Sequence, residues 1–170
     1  MTALKFFTST DDFPYKKGDL LDLAVTLDIN EYNGNKNVSV IIKAIKPTEI
    51  DTEKQLQSLR LFEDFCYNRV NDKTMIQSLI PDRNDFALVY RYLRSNGGYK
   101  FSIETLVFML DNMLSFGKIK VILTAMCELG LIKITEGLNS SSIELMQVSG
   151  KVELDSADII KKLKGVSQCG

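Results

Sequence analysis

Along the first part of the chain apolar and polar residues alternate, and after residue 50 the period changes. Leu21, Leu23, Val25 and Leu27 alternate with Asp22, Ala24 and Thr26, which puts four aliphatic side chains on one face of a strand. Val38, Val40 and Ile42 repeat the pattern against Ser39, Ile41 and Lys43. Between the two runs lies Asn33-Gly34, a pair that accepts the positive φ angles of a tight primed turn, so the region reads as a β-hairpin. The earlier run ALKFF supplies a short third strand. Three strands do not close a barrel, so residues 1–47 are expected to form an incomplete antiparallel sheet.

From Asp51 the spacing is helical. Asp51 predicts the N-cap of a long helix reading DTEKQLQSLRLFEDFCYNRVND, with Leu56, Leu59, Phe62, Cys66 and Val70 on one stripe, and residues 48–83 are expected to form a connector helix and linker. Residues 84–170 then hold three shorter helices. The first carries Phe86, Val89, Tyr90 and Leu93 and ends at Asn96-Gly97-Gly98; Ser102 caps a second with Ile103, Leu106, Val107, Leu110 and Leu114. Gly117 breaks the pattern, and a third carries Ile119, Ile122, Leu123, Met126 and Leu129 up to Gly130. Two strand-like runs, LIKITEG and SSIELMQV, follow with a polar turn between them. A last helix, capped near Asp155 or Ser156, sets Lys161, Lys162 and Lys164 where they complement the helix dipole. The expected class is α+β, with residues 84–170 in the order of a winged helix-turn-helix.

Composition narrows the chemistry. The chain has 170 residues, 45% apolar and 25% charged, with a formal net charge of -1, so it offers no overall attraction to nucleic acid or to a membrane. It has no histidine, which excludes His-dependent metal sites, Ser-His-Asp triads and Cys-His dyads, and it has no GxxxxGK[ST] phosphate loop. Its 3 cysteines are far apart; Cys66 and Cys127 fall in helical apolar segments, where a thiol is expected to serve as a small hydrophobe, and with Cys169 the odd number fits a reducing cytoplasm. The absence of a long apolar run or charged leader leads us to expect a soluble, cytoplasmic protein with no membrane partner.

Three groups of residues are candidates for binding. Lys118 and Lys120 open the third short helix, where a winged helix would read a duplex, and Thr124 and Glu128 follow. In YRYLRSNGGYKF, Arg91, Arg94 and Lys100 interleave with Tyr90, Tyr92 and Tyr99, as a single strand would want; alternatively Tyr90 belongs to the core and the arginines to a solvated face. Lys16, Lys17, Lys36, Lys43 and Lys46 line or flank the strands with Phe13, Tyr15 and Tyr32 as stacking platforms, although lysines on exposed strands also prevent edge-to-edge aggregation. Residue types leave both readings open.

The run KKGDLLDLAVTLDINEYNGNKNVSVIIKAIKP resembles the last strands of the OB-fold domain in RecJ-type single-stranded-DNA-specific exonucleases of the DHH family. Gly18, Asp19, Asp22, Asn30, Tyr32, Asn33 and Gly34 stand at the matching positions; Tyr32 replaces a common Trp, and Ala44 a frequent Asp. The segment after Asp51 more loosely resembles the C-terminal extension of such enzymes from some low-GC Gram-positive bacteria. The resemblance implies a partial OB-fold sheet followed by the winged-helix-like domain, together forming the non-catalytic C-terminal part of a 5′-to-3′ exonuclease of DNA repair and recombination. In that family Asp and His ligands, including the DHH motif, hold Mn²⁺ or Mg²⁺ for phosphodiester hydrolysis; none of those residues is in this chain, for which no catalytic residue and no cofactor is expected. The implied partners are single-stranded DNA, the catalytic domains of the same polypeptide and single-stranded-DNA-binding protein. The expected nucleic-acid contacts are Lys16, Lys17, Tyr32, Lys36, Lys43, Lys46, Arg91, Arg94, Lys100, Lys118 and Lys120. The alternative is an independent winged-helix regulator that reads duplex DNA, or a protein-interaction module.

Overall fold

The computed structural model describes residues 3–8, 10, 13–32, 34–136, 141–148 and 150–168, with only the backbone of Asn30, Tyr32, Asn35, Glu136, Ser141 and Gln168. The chain divides into two compact units, Met1–Ile50 and Asp51–Gly170. The fold is α+β, as expected. Asp51–Ile80, expected as part of a separate connector, packs within the second unit.

The first unit is a sheet of three strands in the order β1-β3-β2: β1 is Ala3–Leu4, β2 is Leu21–Tyr32 and β3 is Asn35–Pro47. β2 and β3 pair antiparallel from Leu21↔Pro47 to Tyr32↔Asn35, and Gly34 has a φ of 75° in the turn, as the hairpin reading requires; Asn33 lies outside the described residues. β1 pairs in parallel, Ala3 with Val40 and Leu4 with Ile41, so the sheet is mixed rather than wholly antiparallel. The apolar residues of β3 do not keep strict alternation, since Ile42 and Ile45 are three apart. A bulge resolves this. Ala24 faces Ala44 and Val25 faces Ile42, which leaves Lys43 as the extra residue and returns Ile42 and Ile45 to the face of Val25 and Leu23. That face carries an exposed row: Leu23, Val25, Leu27, Ile29 and Val38.

The second unit contains helices α1 (Thr52–Cys66), α2 (Lys73–Gln77), α3 (Arg83–Ser95), α4 (Ile103–Met109), α5 (Phe116–Glu128) and α6 (Asp158–Gln168), with the antiparallel pair β4 (Ile132–Glu136) and β5 (Ser141–Leu145). α5 is central. It packs against α1, α3, α4, α6 and β4, and Phe116, Ile119, Val121, Ile122, Ala125 and Met126 are all buried along it. Tyr99 forms an isolated antiparallel bridge to Ile143 of β5, and the approach is so close that a Cβ on Gly98 would sit 2.5 Å from the Ile143 carbonyl oxygen.

Several boundaries depart from the sequence reading, each for a physical reason. α1 stops at Cys66 because Asn68 takes a left-handed φ of 56°; the Asn68 N–H then donates to the Phe65 carbonyl and that of Arg69 to Asp64, a Schellman closure with asparagine in place of glycine. α2, too short to leave a periodic signal, starts at the Asp72 cap. α4 ends before Leu114 because Asp111 and Asn112 are both left-handed. Gly117 does not break a helix; it lies in the first turn of α5, where a Cβ would collide with the Ser58 carbonyl of α1. Tyr90 is exposed, and the core stripe of α3 is Phe86, Val89 and Leu93. Cys66 and Cys127 are exposed as well, while Cys169 lies outside the described residues.

The buried face of α1 is shifted by one residue from its aliphatic stripe. Gln55 and Phe65 are buried, whereas Leu56 and Cys66 are exposed. The cause is the N-terminus of α5, whose first N–H groups have no partner in their own helix. Gln55 Oε1 accepts from Phe116 N at 2.9 Å and Ser58 Oγ from Gly117 N at 3.0 Å, so polar side chains must point inward. Gln55→Ala is therefore expected to cost about 1–3 kcal/mol by orphaning a buried donor, and Leu56→Ala less than about 0.5 kcal/mol. Chemical denaturation followed by helical circular dichroism measures both, and a reversed order would contradict this placement of α1.

Candidate functional site

α3 is held at its start by a capping box: Asp82 accepts from Asp85 N at 2.8 Å, and the Asp85 carboxylate accepts from Asp82 N at 3.0 Å. The same Asp85 oxygen receives Lys118 Nζ at 3.1 Å, in a pair that is largely shielded from water. Lys118 is thus a tie between the first turns of α3 and α5, not a free phosphate contact. Glu128, at the other end of α5, accepts from Ile159 N at 3.1 Å and holds the first turn of α6.

The lysines of α6 are placed differently from the expectation. None lies in the last turn; Lys161 pairs with Asp158 at 3.2 Å and Lys164 with Asp155 at 2.8 Å. Lys162 donates to the Cys66 carbonyl at 3.4 Å and stands 4.9 Å from the Phe65 ring centroid. Burial pushes the Cys66 thiol up, with Lys162 opposing and Glu63 adding to the rise, so this exposed cysteine has no activated thiolate.

Among the aromatic and basic residues of α3 and the following loop, Arg91 and Arg94 are exposed, and Arg91 Nε folds back to the Ala87 carbonyl at 3.1 Å. Lys100 stands 5.8 Å from the Phe101 centroid. The tyrosines separate into two kinds. Tyr90 is open at the surface; Tyr92 and Tyr99 meet edge to face at 6.1 Å, and Tyr99 meets Phe101 in the same way at 5.6 Å. The Tyr99 hydroxyl donates to the Ser102 carbonyl at 2.8 Å. α3 thus presents Tyr90, Arg91 and Arg94 outward while its other rings belong to the packing.

In the first unit, Lys16, Lys17, Lys36, Lys43 and Lys46 are all exposed, and Phe13 and Tyr15 meet edge to face at 5.5 Å. The Tyr32 side chain lies outside the described residues. Lys46 pairs with Asp22 at 3.5 Å and Lys36 with Glu31 at 3.7 Å. Asp22 and Glu31 are nine positions apart on β2, so the two pairs occupy opposite faces of the sheet. The structure does not bring these lysines into one track.

Among the described residues no group of three or more Asp, Glu or Cys converges as a metal site, and the chain has no histidine. No helix in the described residues is long and apolar enough to cross a membrane. No protein-family model, curated protein or solved structure matches the chain.

Lys118→Met is expected to destabilise the second unit by about 1.5–3 kcal/mol, the range for a hydrogen bond to a charged partner, measurable by chemical denaturation; an unchanged midpoint would contradict the tie to Asp85. Burial also pushes the Tyr92 phenol up. The folded chain keeps that proton longer than the unfolded one, so Tyr92's contribution is whole below the ordinary value of about 10 and declines as pH rises from there through its raised folded value. Tyr92→Phe is expected to lose stability less steeply than the parent above that pH, and equal slopes would count against its burial.

Proposed function

We propose that the chain is the non-catalytic, C-terminal part of a RecJ-like single-stranded-DNA exonuclease, and that it grips single-stranded DNA for a catalytic domain elsewhere in the same polypeptide. The observation that carries this reading is the first unit. Its long hairpin pairs Leu21–Tyr32 with Asn35–Pro47, yet its aliphatic row stays open, with Leu27 63% and Ile29 67% exposed. An apolar row of that extent is abnormal for a finished domain and natural for a sheet whose remaining strands are contributed by further chain. The order α3, Tyr99 bridge, α4, α5, β4, β5 supports the winged-helix-like reading of the second unit.

The same unit counts against duplex reading. A recognition helix needs an open face for the major groove. α5 is covered by α1, α3, α4 and α6, its Lys118 is committed to Asp85, and its Glu128 holds α6. Taken unit by unit, the exposed Tyr90, Arg91 and Arg94 on α3, and Lys16, Lys17, Lys36 and Lys43 on the first unit, remain as contacts for a flexible strand, through base stacking and phosphate attraction. Manganese or magnesium would belong to the catalytic domain, and single-stranded-DNA-binding protein is the accessory partner that the resemblance implies.

Fluorescence anisotropy with labelled oligo-dT and with a duplex of equal length tests the reading. The expected result is binding without base preference whose log K falls with log salt at about -0.7 per phosphate contacted. Lys36→Glu, Lys43→Glu and Arg91→Glu are each expected to weaken it and flatten the slope by about one unit or more. Tight preference for one duplex site, or three variants indistinguishable from the parent, would overturn it.

A further inference from the structure

We propose that the second unit holds a small-molecule site for an amphipathic monoanion, a carboxylate carried on one aromatic or branched aliphatic group, in the cavity between α1, α4, α5 and the β4–β5 pair. The cavity is about 220 Å³ and is walled by Phe62, Phe101, Leu123, Ile134 and Ile143. An apolar cavity of about 150 Å³ is enough to hold benzene, so the volume here leaves room for a ring together with a carboxylate. The walls already stack rings edge to face, Tyr99 against Phe101 at 5.6 Å, which is the arrangement a further ring would extend.

The polar end is set by Lys120 and Thr124. They are four apart on α5, hence on one face, and both line the cavity. Lys120 is half-buried and, among the described residues, makes no hydrogen bond or ion pair; the Thr124 hydroxyl also has no partner there. Lys118, one position before the adjacent residue Ile119, shows the contrast, because its ammonium is matched by Asp85. No carboxylate lines the cavity, so the Lys120 ammonium is free to form a charge-assisted hydrogen bond with a bound carboxylate. One cation and one hydroxyl match a singly charged carboxylate; a phosphate dianion would leave oxygens unpaired against the apolar walls. The site is independent of the nucleic-acid reading.

Titration calorimetry of the full chain with phenylacetate and isovalerate, and with phenylacetamide as an uncharged isostere, tests the site. Saturable binding of at least one acid with a Kd below about 1 mM is expected, with the amide about tenfold weaker or more. Lys120→Met, which keeps the stem and removes the charge, is expected to lose about tenfold in affinity for the acid while its melting temperature without ligand stays level or rises. Thr124→Val provides a milder second variant, expected to lose about twofold to fivefold. Absence of saturation by both acids up to about 10 mM, or equal affinity of parent and Lys120→Met for an acid, would overturn the proposal.

Discussion

The second unit depends on how the N-terminus of one buried helix is satisfied. α5 lies at the centre of the unit, so its first N–H groups are out of reach of water and need acceptors from the protein. α1 supplies them through Gln55 and Ser58, and the contact is close enough that only glycine fits at position 117. The other end repeats the logic outward, since Glu128 of α5 caps α6 and Lys162 of α6 reaches the C-terminal carbonyl of α1. α1, α5 and α6 are thus linked by side-chain-to-backbone bonds at their ends as well as by apolar packing. These bonds fix direction, which apolar contact alone does not, and through α1 they set Phe62 as one wall of the cavity beside Lys120.

The first unit has the opposite balance. Its backbone is well satisfied by a ladder running from Leu21 to Tyr32, while its side chains gain little from burial. Hydrogen bonds exchanged with water contribute modestly to net stability, whereas each aliphatic side chain moved from water into a core contributes about 1.5–3 kcal/mol. A row such as Leu23, Val25, Leu27 and Ile29 left in solvent therefore forgoes most of the stabilisation its sequence is patterned to deliver. The bulge at Lys43 sharpens the point. It keeps Ile42 and Ile45 on that same face, a correction of register with no purpose on a face meant for water.

Apolar periodicity exposed most of this architecture, and its failures share a cause. β2, β3, the glycine closures after α3 and α5, and the serine and aspartate caps were all legible because each is written in local residues: alternation, Gly97, Gly130, Ser102, Asp51. α1 was displaced by one residue because its inward face is partly polar; Gln55 and Ser58 look like surface, and only knowledge of the α5 N-terminus makes them interior. Gly117 looked like a breaker for the same reason, as the Ser58 carbonyl that requires it is 59 positions away in sequence. Asn68, Asp111 and Asn112 stopped helices by left-handed φ values that these residue types tolerate without announcing. The resemblance to RecJ-type enzymes lay in the hairpin, which is also the most local element of the chain.

The candidate site was less legible than the fold, because residue type does not report whether a charge is already spent. Lys36, Lys46, Lys118, Lys161 and Lys164 are all basic on paper, and each meets a carboxylate within 4 Å. For the exposed pairs the attraction is weak and easily exchanged for a phosphate, so Lys36 and Lys46 keep some capacity to bind. Lys118 does not, since leaving Asp85 would also disturb the cap of α3. Lys118 and Lys120 thus carry the same charge two positions apart on one helix and answer to different surroundings: the first is neutralised by Asp85, and the second lines a cavity that holds no carboxylate. Function in this unit is therefore to be sought where the fold leaves a charge unmatched, and not where basic residues are most frequent.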